Sequence, residues 1–77
     1  MTPQEMEVAL QEGHTFRAIK GYQYIFLAGA NVHWQGYIIR KVSQGTQHER
    51  VLPYKTARVA VRKMLGYAPA DKWEVVS

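Results

Sequence analysis

Residues 53–66 read PYKTARVAVRKMLG, and this segment predicts both a helix and its two surfaces. At about 100° per residue, one side of the helix is apolar and must pack against the rest of the chain; it consists of Ala57, Ala60, Val61, Met64 and Leu65. Thr56 is placed to cap the first turn, and Gly66 is expected to end the helix in the left-handed conformation. The segment therefore predicts a short amphipathic helix.

The other side of this predicted helix is basic. Lys55, Arg58 and Arg62 share it, and Lys63 lies on its flank. Such a row can line up with phosphates, giving an affinity that falls with salt and carries no sequence readout. The alternative is the ordinary solvated face of an amphipathic helix. Three further cations are candidates for the same binding surface, namely Arg40, Lys41 and Arg50.

Composition and charge indicate one small basic domain over residues 1–77. Hydrophobic residues make up 47% of the chain and charged residues 21%, as in a globular domain. Residues 1–13 carry a charge of −3, residues 14–68 carry +8, and residues 69–77 carry −1, which gives a net charge of +4. This basic body favours nucleic acid or an acidic protein surface as partner, although a few net charges also serve solubility alone.

Local signals upstream of the basic helix predict a second helix and several strands. Thr2-Pro3-Gln4-Glu5 matches a capping box, and the helix that follows is expected to stop at Gly13. Strands are expected at 15–20, 22–28 and 32–42, with turns at Gly21 and 29–31 and a bulge or bend at Gly36. A fourth strand over 48–52, closed by Pro53, and an edge strand over 72–76 would complete the sheet.

The order of these elements predicts an α+β fold. A short N-terminal helix precedes a three- to four-stranded antiparallel meander, and the basic helix packs on one face of that sheet. Both faces of the sheet are partly apolar by alternation, so we expect one face to stay open or to meet a partner. A homodimer could then form through this open face or through the terminal strand.

Aromatic residues of the predicted strands suggest a second candidate surface. An open sheet face with aromatics beside Arg or Lys could stack nucleic-acid bases or contact a protein; the candidates are Tyr22, Tyr24, Trp34 and Tyr37. The alternative is that these side chains form the hydrophobic core, as aromatics do in many small domains.

Catalysis, metal binding and cofactors are not predicted. The chain has no cysteine, and His14, His33 and His48 are far apart in sequence with no carboxylate at metal-ligand spacing. The sequence contains no Ser–His–acid pattern, no paired carboxylates within the basic body and no glycine-rich phosphate loop after a strand. No apolar run approaches the ~20 residues that span a bilayer, and no secretory signal precedes the first helix, so we expect a cytoplasmic protein with no membrane contact.

Two resemblances bear on function. The order helix, three strands, helix is similar to that of double-stranded-RNA-binding domains, with Lys55-Thr56-Ala57-Arg58 where the basic cluster of their last helix lies, but their Gly-Pro and His signature is absent. A three-stranded sheet with one helix also resembles the small DNA-binding modules of phage integrases. The chain is assigned to neither family.

The predicted function is a small non-enzymatic binding module that contacts nucleic acid through the basic helix and an aromatic sheet face. An alternative is a phage or mobile-element inhibitor or adaptor. In size and character the chain resembles anti-CRISPR proteins, which dock on host protein complexes. With its net positive charge, such an inhibitor would seek an acidic surface.

Overall fold

A computed structural model describes residues 1–21, 24–43, 45 and 49–77, and it confirms the predicted α+β fold. Within these ranges, two α-helices lie on one face of a five-stranded antiparallel sheet. The elements in chain order are α1 (Pro3–Gln11), β1 (Phe16–Lys20), β2 (Tyr24–Ala30), β3 (Tyr37–Ser43), β4 (Glu49–Tyr54), α2 (Ala57–Tyr67), a 3-10 turn (Ala70–Lys72) and β5 (Glu74–Val75).

The strand order is β4-β3-β2-β1-β5, so the meander of the first four strands is extended by the C-terminal strand beside β1. Phe16 pairs with Val75 and Arg17 with Glu74. The amide of Thr15 adds a hydrogen bond of 2.9 Å to the Ser77 carbonyl. The predicted C-terminal edge strand is therefore present, although it is only two residues long.

The start and end of α1 follow the sequence prediction. The Thr2 hydroxyl accepts a hydrogen bond from the Glu5 amide at 3.2 Å, and the Glu5 carboxylate accepts one from the Thr2 amide at 2.9 Å. These two bonds form the predicted capping box. Gly13 follows the helix with a φ of 95°, and the next amide, of His14, donates to the Ala9 carbonyl at 2.9 Å, as in a Schellman motif.

The end of α2 differs from the prediction. Gly66 is not a left-handed stop, because it lies inside the helix, which continues to Tyr67. The indole N–H of Trp73 donates to the carbonyls of Met64, in the last turn, and of Ala68, the residue after the helix, each at 3.0 Å. The Met64 carbonyl also accepts from the Ala68 amide at 3.0 Å, so Trp73 is a second donor to Met64 and supplies a buried donor for the Ala68 carbonyl.

The core lies between the helices and the sheet. The predicted apolar side of α2 is confirmed, since Ala57, Ala60, Val61 and Met64 are buried and Leu65 packs against them. Small side chains in this core, such as Ala57 and Ala60, let the helices and the strands approach each other closely. The buried residues outside α2 are Met6, Ala9 and Leu10 on α1, Phe16, Ala18, Phe26, Ala28 and Ile39 on the sheet, and Ala68 and Trp73 near the C-terminus.

Two strand boundaries in the centre of the chain were predicted wrongly. The turn expected at 29–31 is strand, because Gly29 pairs with Ile38 and Ala30 with Tyr37. The strand expected from residue 32 begins only at Tyr37. Residues 32–36 form a loop with a bend, in which the Asn31 side chain accepts a hydrogen bond from the backbone amide two residues later.

The fourth strand is longer than predicted at its C-terminal end. Pro53 lies within β4 and pairs with Ile38, instead of closing the strand. A proline fits there because β4 is the sheet edge and the missing N–H faces no neighbouring strand. The predicted strand starts at Tyr22 and His48 lie outside the described residues.

The helices cover only one face of the sheet. Alternation directs Phe16, Phe26 and Ile39 toward the helices and the residues between them away. We call the uncovered side the open face. In the part of the chain that the structure describes, no helix is both long and apolar enough to cross a membrane.

Candidate nucleic-acid interface

The exposed side of α2 carries four cations. Lys55, Arg58, Arg62 and Lys63 are all exposed, while the opposite side of the helix is buried. Thr56 fixes the start of the helix, since its hydroxyl accepts a hydrogen bond from the Val59 amide at 3.2 Å. We call these four cations the basic surface.

Three of the four cations form a row that begins just before the helix. Arg58 and Arg62 are four residues apart, which places them on the same side of α2, and Lys55 lies in the extended segment before the cap residue Thr56. Across the described ranges, no carboxylate lies within ion-pair distance of any member of the basic surface. Their charges are therefore free to attract an external anion.

The position of Lys55 and Arg58 at the N-terminal end of α2 is unfavourable for the stability of the helix. The first turn of α2 contains no acidic residue, and Arg58 lies in that turn with Lys55 just before it. The N-terminus of a helix carries a partial positive charge, so a cation there is unfavourable by about 0.3–1 kcal/mol. A bound phosphate would relieve this repulsion and would also meet free backbone N–H groups.

Arg50 and Lys41 lie beside one another on the helix-covered side of the sheet. They are paired in register on β4 and β3. The Lys41 ammonium is 4.3 Å from the centre of the Tyr24 ring, a cation–π distance, so this cation already has a partner. Arg50 is exposed and can extend the basic surface along the sheet edge.

Tyr54 connects this edge to the end of α2. Burial raises the pKa of Tyr54 above its ordinary value, the neighbouring Tyr67 hydroxyl raises it further, and Arg50 opposes both. The ring of Tyr67 in turn stacks on Phe26, with 4.8 Å between ring centres. The neutral form of the Tyr54 hydroxyl is therefore favoured beside Tyr67.

Arg40 does not belong to the basic surface. It lies on the open face, and its guanidinium forms an ion pair and a hydrogen bond with the Glu49 carboxylate. Its charge is therefore largely neutralised on the side of the sheet opposite α2. Sequence spacing grouped Arg40 with Lys41, but adjacent residues of a strand point to opposite faces.

The aromatic candidates do not form an open platform. Tyr24 and Tyr37 lie on the helix-covered side, where both are half-buried against the core. Trp34 is 45% exposed but belongs to the loop before β3, beside Gly36. Tyr22 lies outside the described residues. The expected aromatic open face is therefore not formed by the described candidates.

The open face is instead aliphatic, with its charges arranged in pairs. Arg17 and Glu74, which the sequence analysis did not single out, approach to 3.6 Å on it. The signal for this surface is the alternation within β1: once Phe16 is known to be buried, Arg17 and Ile19 must face the opposite side. The half-buried and exposed aliphatic residues of the open face are Ile19, Ile25, Leu27, Ile38, Val42 and Val51.

Two further comparisons concern the chemistry and the relatives of the chain. Among the described residues, no three His, Asp or Glu side chains lie close enough together to hold a metal ion. No protein-family model, curated protein or solved structure matches this chain significantly.

Proposed function

We propose that the chain is a small non-enzymatic module that binds nucleic acid through the phosphate backbone. The observation that carries this proposal is the basic surface of α2, whose four exposed cations have no ion-pair partner within the described ranges. The unfavourable position of Lys55 and Arg58 at the positive end of the helix supports the same proposal, because a bound anion would stabilise that end.

The expected binding mode is electrostatic and independent of base sequence. Phosphate contacts position a protein without reading bases, and the half-buried Tyr24 and Tyr37 are not available for stacking. Four phosphate contacts predict that affinity for duplex DNA falls by about 100-fold between 50 and 200 mM salt. Fluorescence anisotropy with a labelled duplex over this salt range measures the slope.

A pair of matched charge reversals tests the location of the site. Arg62→Glu and Lys72→Glu each change the net charge by the same amount, but only Arg62 lies on α2, whereas Lys72 is exposed on the 3-10 turn. Arg62→Glu should weaken duplex binding by about tenfold or more, and Lys72→Glu should change it much less. Equal effects of the two substitutions would contradict a specific role for α2.

The alternative of an acidic protein partner is decided by a pull-down from a nuclease-treated lysate. Loss of bound material after nuclease treatment supports nucleic acid as the ligand. A stoichiometric protein that is retained after nuclease treatment, and that Arg62→Glu releases, would instead identify the basic surface as a protein-docking site.

A further inference from the structure

We infer that two copies of the chain associate face to face through the open face. This inference does not depend on the proposed function, because the basic surface lies on the helical side of the molecule. It rests on the position, the charge balance and the area of the open face.

The open face has a regular layout centred on one residue. Sheet register forms a middle row that crosses all five strands in the order Val51, Arg40, Leu27, Arg17 and Glu74. Leu27 lies on the central strand of the sheet and in the centre of this row. Aliphatic residues occupy the rows on either side, including Ile38 in one and Ile19, Ile25 and Val42 in the other.

The charges of the open face favour a second copy over other occupants. Its charged residues in the described ranges are Arg17, Glu74, Arg40 and Glu49, which balance to zero and form two ion pairs. The chain as a whole carries +4, so two copies repel each other across most of their surfaces. Because the open face is neutral and aliphatic, two copies can contact each other through it without bringing like charges together. A polyanion would find no cation without an ion-pair partner among the described residues of this face.

The open face is also large enough for a contact between two copies. Five strands about 4.8 Å apart, four of them five to seven residues long, give it an area of about 450 Å².

This area is small for a protein–protein interface. Two such faces bury about 900 Å² in total, which is below the size of standard stable interfaces and corresponds to a weak dimer that forms only at high concentration. The two sheets would pack about 10 Å apart, with Leu27 of each copy near the two-fold axis. The helices and their basic surfaces would then point outward on opposite sides of the dimer.

Sedimentation equilibrium between about 5 and 500 μM, a range chosen for a weak interface, measures this association. The mass should rise from 8.9 kDa toward twice that value as concentration increases. Ile19→Lys adds a cation to the open face and should raise the dissociation constant at least tenfold. Val8→Lys adds the same charge on α1 at an equally exposed position, 51% against 50%, and should leave the dissociation constant nearly unchanged.

Chemical cross-linking provides a test that does not depend on the folding of a charged variant. The chain has no cysteine, so Leu27→Cys introduces a single thiol at the centre of the open face and Val8→Cys introduces one on α1. Because the two sheets would lie about 10 Å apart, a direct disulfide would be too short, but a bismaleimide with a spacer of about that length should link Leu27→Cys into a dimer far faster than Val8→Cys. A chain that remains monomeric at the highest concentration, or equal cross-linking rates for the two variants, would overturn the inference.

Discussion

The indole N–H of Trp73 donates to the main-chain carbonyl of Met64 across 3.0 Å, and it reaches the Ala68 carbonyl at the same distance. Trp73 is only 5% exposed, and its ring lies 6.3 Å from that of Phe26. The Trp73 side chain therefore hydrogen-bonds to the end of α2, fills the core beneath it and joins the C-terminal segment to both.

Trp73→Phe should lower the free energy of unfolding by about 1–3 kcal/mol, because the phenyl ring retains much of the packing but removes the indole donor. The Ala68 carbonyl then loses this hydrogen bond, and the Met64 carbonyl keeps the Ala68 amide alone as donor. Urea denaturation measures the change. Trp34→Phe is the matched control, since Trp34 is 45% exposed, and it should change stability by less than about 0.5 kcal/mol. Equal losses for the two variants would contradict the hydrogen-bonding role of Trp73.

Elements fixed by neighbouring residues could be predicted from the sequence. The capping box of Thr2 and Glu5 and the buried side of α2 depend only on spacing within one helix turn or a few turns. Gly66 was expected to end α2 but lies within it. The helix stops before Pro69, because a proline disfavours a helical conformation of the residue before it, and that residue is extended. The contact of Trp73 with the last turn could not be predicted from local spacing, because Trp73 reaches back from beyond the helix.

The candidate site could likewise be predicted only in part. The exposed cations of α2 follow from helical spacing, but the choice of the open face does not. Residues such as Tyr24 and Leu27 give both faces of β2 an apolar character, so alternation alone cannot show which face the helices cover. In the structure, Ala18 and Ala28 are buried with the apolar residues of both helices in one core, and this arrangement depends on contacts between residues that are far apart in the sequence.

Gly36→Ala should destabilise the fold by about 1–3 kcal/mol. Gly36 has a φ of 145°, which side-chain-bearing residues rarely adopt. A Cβ atom there would also lie 2.7 Å from the Tyr54 carbonyl oxygen and would overlap the ring of Trp34. Thermal unfolding followed by circular dichroism measures the loss.

Gly66→Ala is the matched control and should have the opposite sign. Gly66 lies within α2, and an added Cβ would meet no atom within 4 Å. Alanine in a helix interior is more stable than glycine by about 0.5–1 kcal/mol. A stabilising Gly36→Ala or a destabilising Gly66→Ala would show that these two backbone positions differ from the structure described above.

Acid should weaken α1 through Glu5. Hydrogen bonds from the backbone and side chain of Thr2 hold the pKa of Glu5 below its ordinary value. A carboxyl group whose pKa is lower in the folded state stabilises the fold above its unfolded pKa, and this contribution is lost as the pH falls through the folded pKa. The melting temperature of the unmodified chain should therefore fall more steeply below pH 5 than that of Glu5→Gln. Glu7→Gln removes a charge from the same helix without touching Thr2, and a pH profile like that of Glu5→Gln would contradict this explanation.

Arg58→Glu should move stability and binding in opposite directions. In the first turn of α2, glutamate interacts favourably with the helix dipole where arginine interacts unfavourably, so the free energy of unfolding should rise by about 0.5–1 kcal/mol. The same substitution places a negative charge in the row with Lys55 and Arg62, and duplex affinity should fall by about tenfold or more. Urea denaturation and anisotropy titration of one preparation measure both effects. Because the variant is expected to be more stable, a loss of binding could not be attributed to unfolding. Retained affinity in a stabilised variant would show that the cations of α2 are solvated and do not contact phosphate.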